Sequence, residues 1–168
     1  MTTPSAAPAQ AYGQPGPGEP YDGAATPDDL TRPLYGATLG QSVSRFFKNY
    51  AKFSGRASRS EYWWLSLFML IVAIVFSALI GISVGTAGIN ADGTAELPGF
   101  AIALLVILSL FGLATIVPSL ALQWRRLHDA NLAGPFYFLS LIPAVGGIIV
   151  FVLSVLPPKP EGRRFQRK

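Results

Sequence analysis

Two clusters of charged residues contain the side chains of this sequence that could do chemistry. One cluster directly precedes a long uncharged apolar run, and the other directly follows a second such run. The members are Arg56, Arg59, Glu61, Arg125, Arg126, His128 and Asp129. Because planar guanidinium groups bind carboxylates with two parallel hydrogen bonds, we expect Glu61 and Asp129 to pair with arginines of the opposite cluster. The pattern predicts a structural clasp of ion pairs that holds two helices together.

The same clusters allow two functional interpretations. Four arginines and a histidine at helix ends could bind a phosphate or a lipid headgroup. His128 can titrate near neutral pH, and with Asp129 it could serve an enzyme that acts on a lipid phosphate. However, the sequence contains no Ser-His-Asp arrangement, phosphate-binding loop or HExxH motif. It also lacks cysteine. We therefore predict no catalytic residue, no cofactor and no metal site.

The composition is that of a membrane protein. Apolar residues make up 51% of the 168 residues and charged residues only 13%, against about 25% charged in soluble proteins. The net charge of +4 comes from basic residues that flank the apolar runs. This arrangement is typical of membrane-flanking segments, so we predict no nucleic-acid partner.

Two segments are long enough and apolar enough to cross a bilayer. They cover residues 62–84 and 99–124 and are joined by a loop over 85–98 that carries no Lys or Arg. The segment before the first span contains five basic residues, and Arg125 and Arg126 follow the second. The positive-inside rule therefore predicts a multi-pass protein of the bacterial plasma membrane with a cytoplasmic N-terminus. The predicted interface anchors are Trp63, Trp64 and Trp124.

A stripe of small residues along the first span predicts close packing of another helix. It consists of Ala73, Ser77, Gly81 and Gly85, which recur every four residues. Small residues at this spacing let a second helix approach closely. The partner is expected to be a helix of the same chain, with a second copy or another membrane protein as the alternative.

The third apolar segment, over 135–156, has two interpretations. It is interrupted at Pro143 and at Gly146-Gly147, and a basic tail over 157–168 follows it. A kinked third span would place the basic tail outside the cell, against the charge rule. A re-entrant hairpin broken at Pro143–Gly147 would return the tail to the cytoplasm, and we favour this form. The irregular backbone there could alternatively line the cavity of a small channel or transporter.

The N-terminal part of the sequence contains two different segments. Residues 1–37 are rich in Pro, Gly and Ala and are predicted to be a disordered cytoplasmic tail. Residues 38–53 have helical spacing, with apolar Leu39, Val43, Phe46, Phe47 and Tyr50 on one face. Such a basic amphipathic helix lies in the membrane interface or docks on the spans. The predicted fold class is an all-α integral membrane protein with a membrane domain over 38–156.

Three motifs in this order resemble a known family. The first comprises Phe53, Gly55, Arg56, Arg59, Glu61, Tyr62 and Trp63, the second runs from Arg125 to Asp129, and the third comprises Pro143 and Gly146. Over residues 42–156 the chain is similar to the domain-of-unknown-function family 805 of small bacterial inner-membrane proteins. It departs from the family pattern at 133–136 and in the tail at 161–164.

The resemblance implies a membrane location and architecture, and no reaction, substrate or cofactor. The predicted function is a non-enzymatic role through contacts with membrane lipids or with other membrane proteins. Anionic headgroups are the expected lipid partners because the flanking charges are basic. A membrane-protein partner or a second copy of the chain is the other expected partner.

Overall fold

The computed structural model describes residues 23–24, 26–88 and 97–166. These residues form helices joined by turns and irregular segments, and they contain no strand. Four α-helices are present: α1 (Leu39–Lys48), α2 (Arg59–Gly85), α3 (Gly99–Asp129) and α4 (Gly146–Val155). Two 3₁₀ segments, Gly134–Leu141 and Pro160–Gln166, flank α4. The prediction of an all-helical protein with two long apolar helices and a further apolar segment is confirmed.

Helices α2 and α3 have the length and surface that a bilayer requires. They contain 27 and 31 residues, or roughly 40 and 46 Å at 1.5 Å per residue, against about 30 Å of hydrocarbon. Of their most apolar stretches, 0% and 17% is buried inside the protein. Side chains such as Leu70, Ile82 and Leu113 are more than half exposed. These surfaces need an apolar environment that the described chain does not provide.

The fold comprises two units. The first joins the chain up to Leu65 with the chain from Val117 onward, and the second is Ser66–Ile116. Every residue of the two predicted charge clusters lies in the first unit. The following description of the candidate site therefore concerns that unit alone.

Helix α1 is shorter than the segment of 38–53 that the sequence predicts. It begins with a capping box, in which Gln41 N–H donates to Thr38 Oγ1 and Thr38 N–H donates to Gln41 Oε1. It ends at Lys48, with Asn49 as the C-cap. Gly55 lies in the link to α2 with a φ of 91°. This left-handed conformation favours glycine and turns the chain towards α2.

The buried face of α1 also differs from the predicted apolar face. Its buried residues are Ser42, Arg45, Phe46 and Asn49, which follow the i, i+3, i+4, i+7 spacing. Phe47 and Tyr50 are 44% and 41% exposed. The helix therefore docks on the protein through a mixed polar face and leaves two aromatic rings of the predicted face uncovered.

Residues 26–37, here called the strap, are ordered although their composition predicts disorder. Leu34, Tyr35 and Ala37 are at most 3% exposed. The Ala37 N–H donates to Ser60 Oγ, and the Leu34 carbonyl accepts from Ser58 Oγ at 2.6 Å. These hydrogen bonds come from residues distant in sequence, which a composition argument does not see. The predicted disorder of residues 1–22 lies outside the described residues.

The third apolar segment doubles back on itself. The 3₁₀ segment Gly134–Leu141 packs against α4, and the chain turns between them, where Ala144 has a φ of 66°. Gly134 lies against the Trp124 ring, and the carbonyls of Ser154 and Leu156 accept from Arg126. Both ends of the segment therefore contact the same end of α3. We call residues 134–156 the hairpin.

The small-residue stripe of α2 has no partner helix among the described residues. Ala73, Ser77, Gly81 and Gly85 are all exposed. No described atom outside the helix backbone lies within 4 Å of a Cβ placed on Gly81 or Gly85. That another helix packs on this stripe stays a prediction. The loop over 85–98 is described only to residue 88 and from residue 97.

Candidate functional site: a buried ion-pair cluster

The two predicted charge clusters are buried in the first unit. Arg56, Arg125 and Arg126 are at most 1% exposed, and Glu61 and Asp129 are at most 2% exposed. Arg59, the remaining arginine of the prediction, is only partly buried. Charges at this depth must be paired or bonded, because an isolated buried charge costs several kcal/mol or more. The partners of each charged group therefore define what the cluster does.

Glu61 lies in the first turn of helix α2, and its carboxylate accepts three hydrogen bonds. Ser58 and Glu61 form a second capping box, since Ser58 N–H donates to Glu61 Oε2 at 2.9 Å and Glu61 N–H donates to Ser58 Oγ. The Leu34 N–H also donates to Oε2, and Arg45 Nε donates to Oε1 at 2.5 Å. The expected partner of Glu61 was an arginine of the second cluster. The structure shows Arg45 of α1 instead.

Arg45 is the principal residue that the sequence interpretation missed. Its Nη1 donates to the carbonyls of Pro27 and Asp29 at 2.7 and 2.8 Å, and its Nη2 donates to the Arg32 carbonyl at 2.6 Å. One guanidinium therefore joins Glu61 to the strap. The available signal was the spacing of Arg45 with Ser42, Phe46 and Asn49, which places these four residues on one face of the helix.

The strap is also stabilised by charges around Asp29. Burial alone would raise the pKa of this carboxyl group. Hydrogen bonds from the Thr31 hydroxyl and N–H, with the positive charges of Arg32 and Arg45, outweigh burial, and the pKa lies below its usual value. Asp29 is therefore ionised throughout the physiological pH range, and its negative charge stabilises the strap.

Asp129 is the second carboxylate centre. Arg126 Nη1 donates to Oδ2 at 2.8 Å, and Arg56 Nη1 lies 3.5 Å from Oδ1. The Tyr35 hydroxyl donates to Oδ1 at 3.4 Å. The pair Arg56–Asp129 joins the two predicted clusters as the sequence suggested, whereas Arg126 belongs to the same cluster as Asp129. Through Tyr35, this centre also contacts the strap.

Arg126 attaches the hairpin to α3. Its Nε donates to the Ser154 carbonyl at 2.9 Å, and its Nη2 donates to the Leu156 carbonyl. These carbonyls lie at the C-terminal end of α4, which has no further turn to satisfy them and carries partial negative charge. The Gln123 amide adds a hydrogen bond of 2.8 Å to Ser154 Oγ. A single arginine thus satisfies both Asp129 and the end of α4.

His128 is enclosed by the C-terminal tail. Its ring stacks on Phe165 with a centroid distance of 4.0 Å and an interplanar angle of 3°. Its Nδ1 lies 3.1 Å from the Gly55 carbonyl, which can only accept, so Nδ1 carries a proton. A Cβ on Gly162 would overlap the His128 carbonyl. The histidine therefore packs the tail against the link between α1 and α2.

The three predicted tryptophan anchors have different environments. Trp63 and Trp64 are 37% and 40% exposed, and their role as interface anchors stays a prediction. Trp124 is only partly exposed, and its ring has T-shaped contacts with Phe53 and Phe138 at 5.6 and 6.0 Å. Trp124 therefore packs the hairpin and the α1–α2 link onto α3.

The arrangement offers ion pairing rather than an open reaction site. Across residues 23–24, 26–88 and 97–166, no three metal-ligating side chains of the His, Asp or Glu type come together. Glu61 and Asp129 each bind an arginine and a group of the strap. The site joins α1, α2, α3, the strap, the hairpin and the tail at one end of the two long helices.

These features define a class: an all-helical membrane protein with two long apolar helices and a buried ion-pair cluster at one end. The chain belongs to the family described as "Protein of unknown function (DUF805)", whose profile matches residues 50–167. The resemblance inferred from the motifs is confirmed. The match includes the tail up to residue 167, although the tail at 161–164 departs from the expected pattern. Arg45 and the strap precede the matched region.

Curated relatives have names that state a membrane location. "Inner membrane protein YhaH" of Escherichia coli K12 is 30% identical over 121 residues, which are 72% of this chain and 89% of the relative. "Inner membrane protein YhaI" of the same strain is 40% identical over 105 residues, which are 62% of this chain and 75% of the relative. No solved structure matches the chain. Together with the apolar helices, these relatives identify a transmembrane protein.

Proposed function

We propose that this protein is a non-enzymatic inner-membrane protein that acts through contacts with membrane lipids. The observation that carries the proposal is the division of its polar groups. The groups able to do chemistry, such as Asp129 and His128, are buried, and each is hydrogen-bonded within the protein, Asp129 to Arg126 and His128 to the Gly55 carbonyl. The exposed surface combines apolar side chains with cations and aromatic rings, the chemistry of a bilayer and its anionic headgroups.

The proposed topology has the ion-pair cluster at the cytoplasmic face and the hairpin re-entrant. Helix α4 has 10 residues, about 15 Å, which is half of the hydrocarbon thickness. Arg126 binds its C-terminal end, and Lys159 N–H donates to the Asp129 carbonyl. A segment that starts and ends at one end of α3 supports a dip into the bilayer and a return. The N-terminus and the basic tail then share the cytoplasmic side, in agreement with the charge rule.

Helix α1 is proposed to lie at the cytoplasmic interface. Phe47 and Tyr50 are more than 40% exposed, next to the exposed Lys48. Aromatic rings beside a lysine are typical of an interfacial helix that binds anionic lipid. Its opposite face is fixed to the protein by Arg45 and Phe46, so the helix presents a rigid surface to the headgroups.

Neither rival function gains support from the described residues. An enzyme that uses His128 and Asp129 would need them accessible, and they are 6% and 0% exposed. A channel lined by the segment Pro143–Gly147 would need open backbone there. Gly146 instead packs so closely on the Leu139 carbonyl that an added Cβ would overlap it.

Cysteine labelling tests the topology. The sequence has no cysteine, so Ser44→Cys, Thr86→Cys, Leu141→Cys and Glu161→Cys each give a unique thiol. In spheroplasts, a membrane-impermeant maleimide is expected to label Thr86→Cys only. Lysis should expose Ser44→Cys and Glu161→Cys, while Leu141→Cys, within the lipid, should react only after denaturation. Labelling of Glu161→Cys from outside would contradict the hairpin and support a third span.

Lipid enrichment tests the interaction. Lys48, Lys159 and Arg163 are exposed, and each basic residue near an anionic surface contributes roughly 1 kcal/mol. The triple Gln variant is expected to lose most of its excess of anionic over zwitterionic phospholipid after purification in mild detergent, measured by mass spectrometry. Arg32→Gln, which removes a charge from the strap, should retain the excess. If the triple variant keeps the wild-type lipid ratio, the proposed headgroup surface is wrong.

A further inference from the structure

The buried charges of the first unit do not balance. Among the described residues, four arginines are at most 2% exposed: Arg45, Arg56, Arg125 and Arg126. The buried carboxylates of the same residues are Glu61 and Asp129. The buried groups therefore carry two more positive charges than negative charges. Since buried charges are normally paired, an excess of this kind calls for an acceptor that the described residues do not supply.

The excess is concentrated at Arg125. Arg45 donates to Glu61 and three carbonyls, and Arg126 donates to Asp129 and two carbonyls. Arg56 lies beside Asp129. Arg125, by contrast, donates from Nε to the Ala121 carbonyl of its own helix at 3.2 Å, and its buried Nη2 has no partner among the described residues.

A second buried polar side chain without a described partner lies on the same face of α1 as Arg45. Asn49 is 1% exposed, and neither its Oδ1 nor its Nδ2 has a hydrogen-bond partner in the described part of the chain. It follows Arg45 by one helical turn on the same buried face. The charges of Arg45 and Glu61 act on Arg125, and the Ala57 N–H donates to the Arg125 carbonyl at 3.0 Å. Both side chains therefore belong to the junction of α1, α2 and α3.

An anion explains these groups better than the alternatives. Each unmet buried polar group destabilises the fold, and an unmet buried charge destabilises it more. A water molecule would satisfy the hydrogen bonds but leave the positive charge uncompensated. The buried carboxylates of the described residues are not available, because Glu61 and Asp129 already bind arginines. A phosphate oxyanion accepts from a guanidinium and an amide N–H and removes the charge excess.

We propose that the first unit binds one phosphate oxyanion, inorganic or from a lipid headgroup, through Arg125 Nη2 and the Asn49 amide. This internal site is separate from the exposed headgroup surface formed by Lys48, Lys159 and Arg163. It neither requires that surface nor is required by it. An oxyanion here would join α1 to α3 and make the stability of the cytoplasmic end depend on phosphate.

The test is the thermal stability of the full chain in detergent after removal of lipid. Sodium phosphate replaces sodium gluconate at constant ionic strength, and unfolding is followed by tryptophan fluorescence, to which Trp124 next to Arg125 contributes. We expect the apparent Tm of the wild type to rise by about 5 °C and to saturate. Arg125→Met should not respond, and without phosphate it should unfold at or above the wild-type temperature.

Further variants separate specific binding from general effects. Arg32→Met removes an exposed positive charge from the strap. This variant should respond to phosphate like the wild type. Asn49→Ala should need severalfold more phosphate for half of the shift. If Arg125→Met does not fold, Arg125→Lys replaces it, with half-saturation expected at least tenfold higher. An equal phosphate response in wild type and Arg125→Met would indicate a general salt effect and overturn the proposal.

Lipid nanodiscs identify the source of the phosphate. If a headgroup supplies it, the wild type in phosphatidylglycerol nanodiscs should already show the raised Tm and no longer respond to inorganic phosphate. If inorganic phosphate is the ligand, the response should be equal in phosphatidylglycerol and phosphatidylcholine nanodiscs. Absence of a saturable response in detergent and in both nanodiscs would overturn the buried site while leaving the proposed lipid contacts of the surface untouched.

Discussion

Replacement of Glu61 by alanine is expected to lower the free energy of unfolding by about 3–5 kcal/mol. The change leaves the Arg45 guanidinium buried without its carboxylate. It also removes the acceptor of the Leu34 N–H and of the Ser58 N–H, and with the latter the capping box of α2. The strap should therefore loosen together with the start of α2. Chemical denaturation in detergent measures the loss, and limited proteolysis within residues 26–37 reports the loosening.

The matched control for this ion pair is the exposed pair Lys48–Asp28. Its atoms lie 2.9 Å apart, but its side chains are 50% and 82% exposed. Asp28→Ala should change the stability by less than about 1 kcal/mol, because solvent screens such pairs. In a double-mutant cycle, Arg45→Met with Glu61→Ala should cost clearly less than the sum of the single changes. Additive losses would show that the two residues stabilise the fold independently, against the structure.

The architecture of the long helices was predictable from the sequence. Uncharged runs between basic, tryptophan-flanked ends have one physical solution, since every backbone polar group must be satisfied within lipid. The predicted spans 62–84 and 99–124 lie within α2 and α3. Helix ends are less predictable, and α2 begins before the apolar run because Ser58 and Glu61 cap it within the polar cluster.

The pairing within the cluster was only partly predictable. The motifs located the charged residues, and the Arg56–Asp129 pair followed from their position at adjacent helix ends. The Arg45–Glu61 pair did not, because it depends on which face of α1 docks. An apolar count favoured the face with Phe47 and Tyr50, whereas the docking face is selected by four guanidinium hydrogen bonds. A count of apolar residues cannot weigh such bonds.

The ion-pair cluster and the hairpin are connected by shared hydrogen bonds. Arg126 binds both Asp129 and the end of α4, and Lys159 N–H donates to the Asp129 carbonyl. The path of the hairpin is therefore fixed at the cluster and not by its own apolar sequence. The sequence favoured a returning hairpin over a kinked span by the charge rule, and whether the segment re-enters the membrane stays a prediction. The turn of the hairpin is the second point at which its path is determined.

Gly146→Ala is expected to destabilise this turn by at least about 3 kcal/mol, beyond the usual cost of overpacking. The added Cβ would overlap the Leu139 carbonyl and lie 2.9 Å from the Ser140 backbone. Backbone atoms cannot rotate away as a side chain can, so the hairpin must open. The neighbouring Gly147 is the matched control, because no described atom lies within 4 Å of its Cβ position.

Gly147→Ala should leave stability unchanged or raise it by up to about 1 kcal/mol, since alanine favours the helix. Thermal unfolding of both variants in detergent measures the difference, and the rate of maleimide reaction at Leu141→Cys in lipid reports whether the hairpin has opened. With Gly146→Ala, this thiol should react faster than with Gly147→Ala. If the two alanine variants behave alike, the hairpin does not pack through Gly146, and the kinked third span becomes the better description.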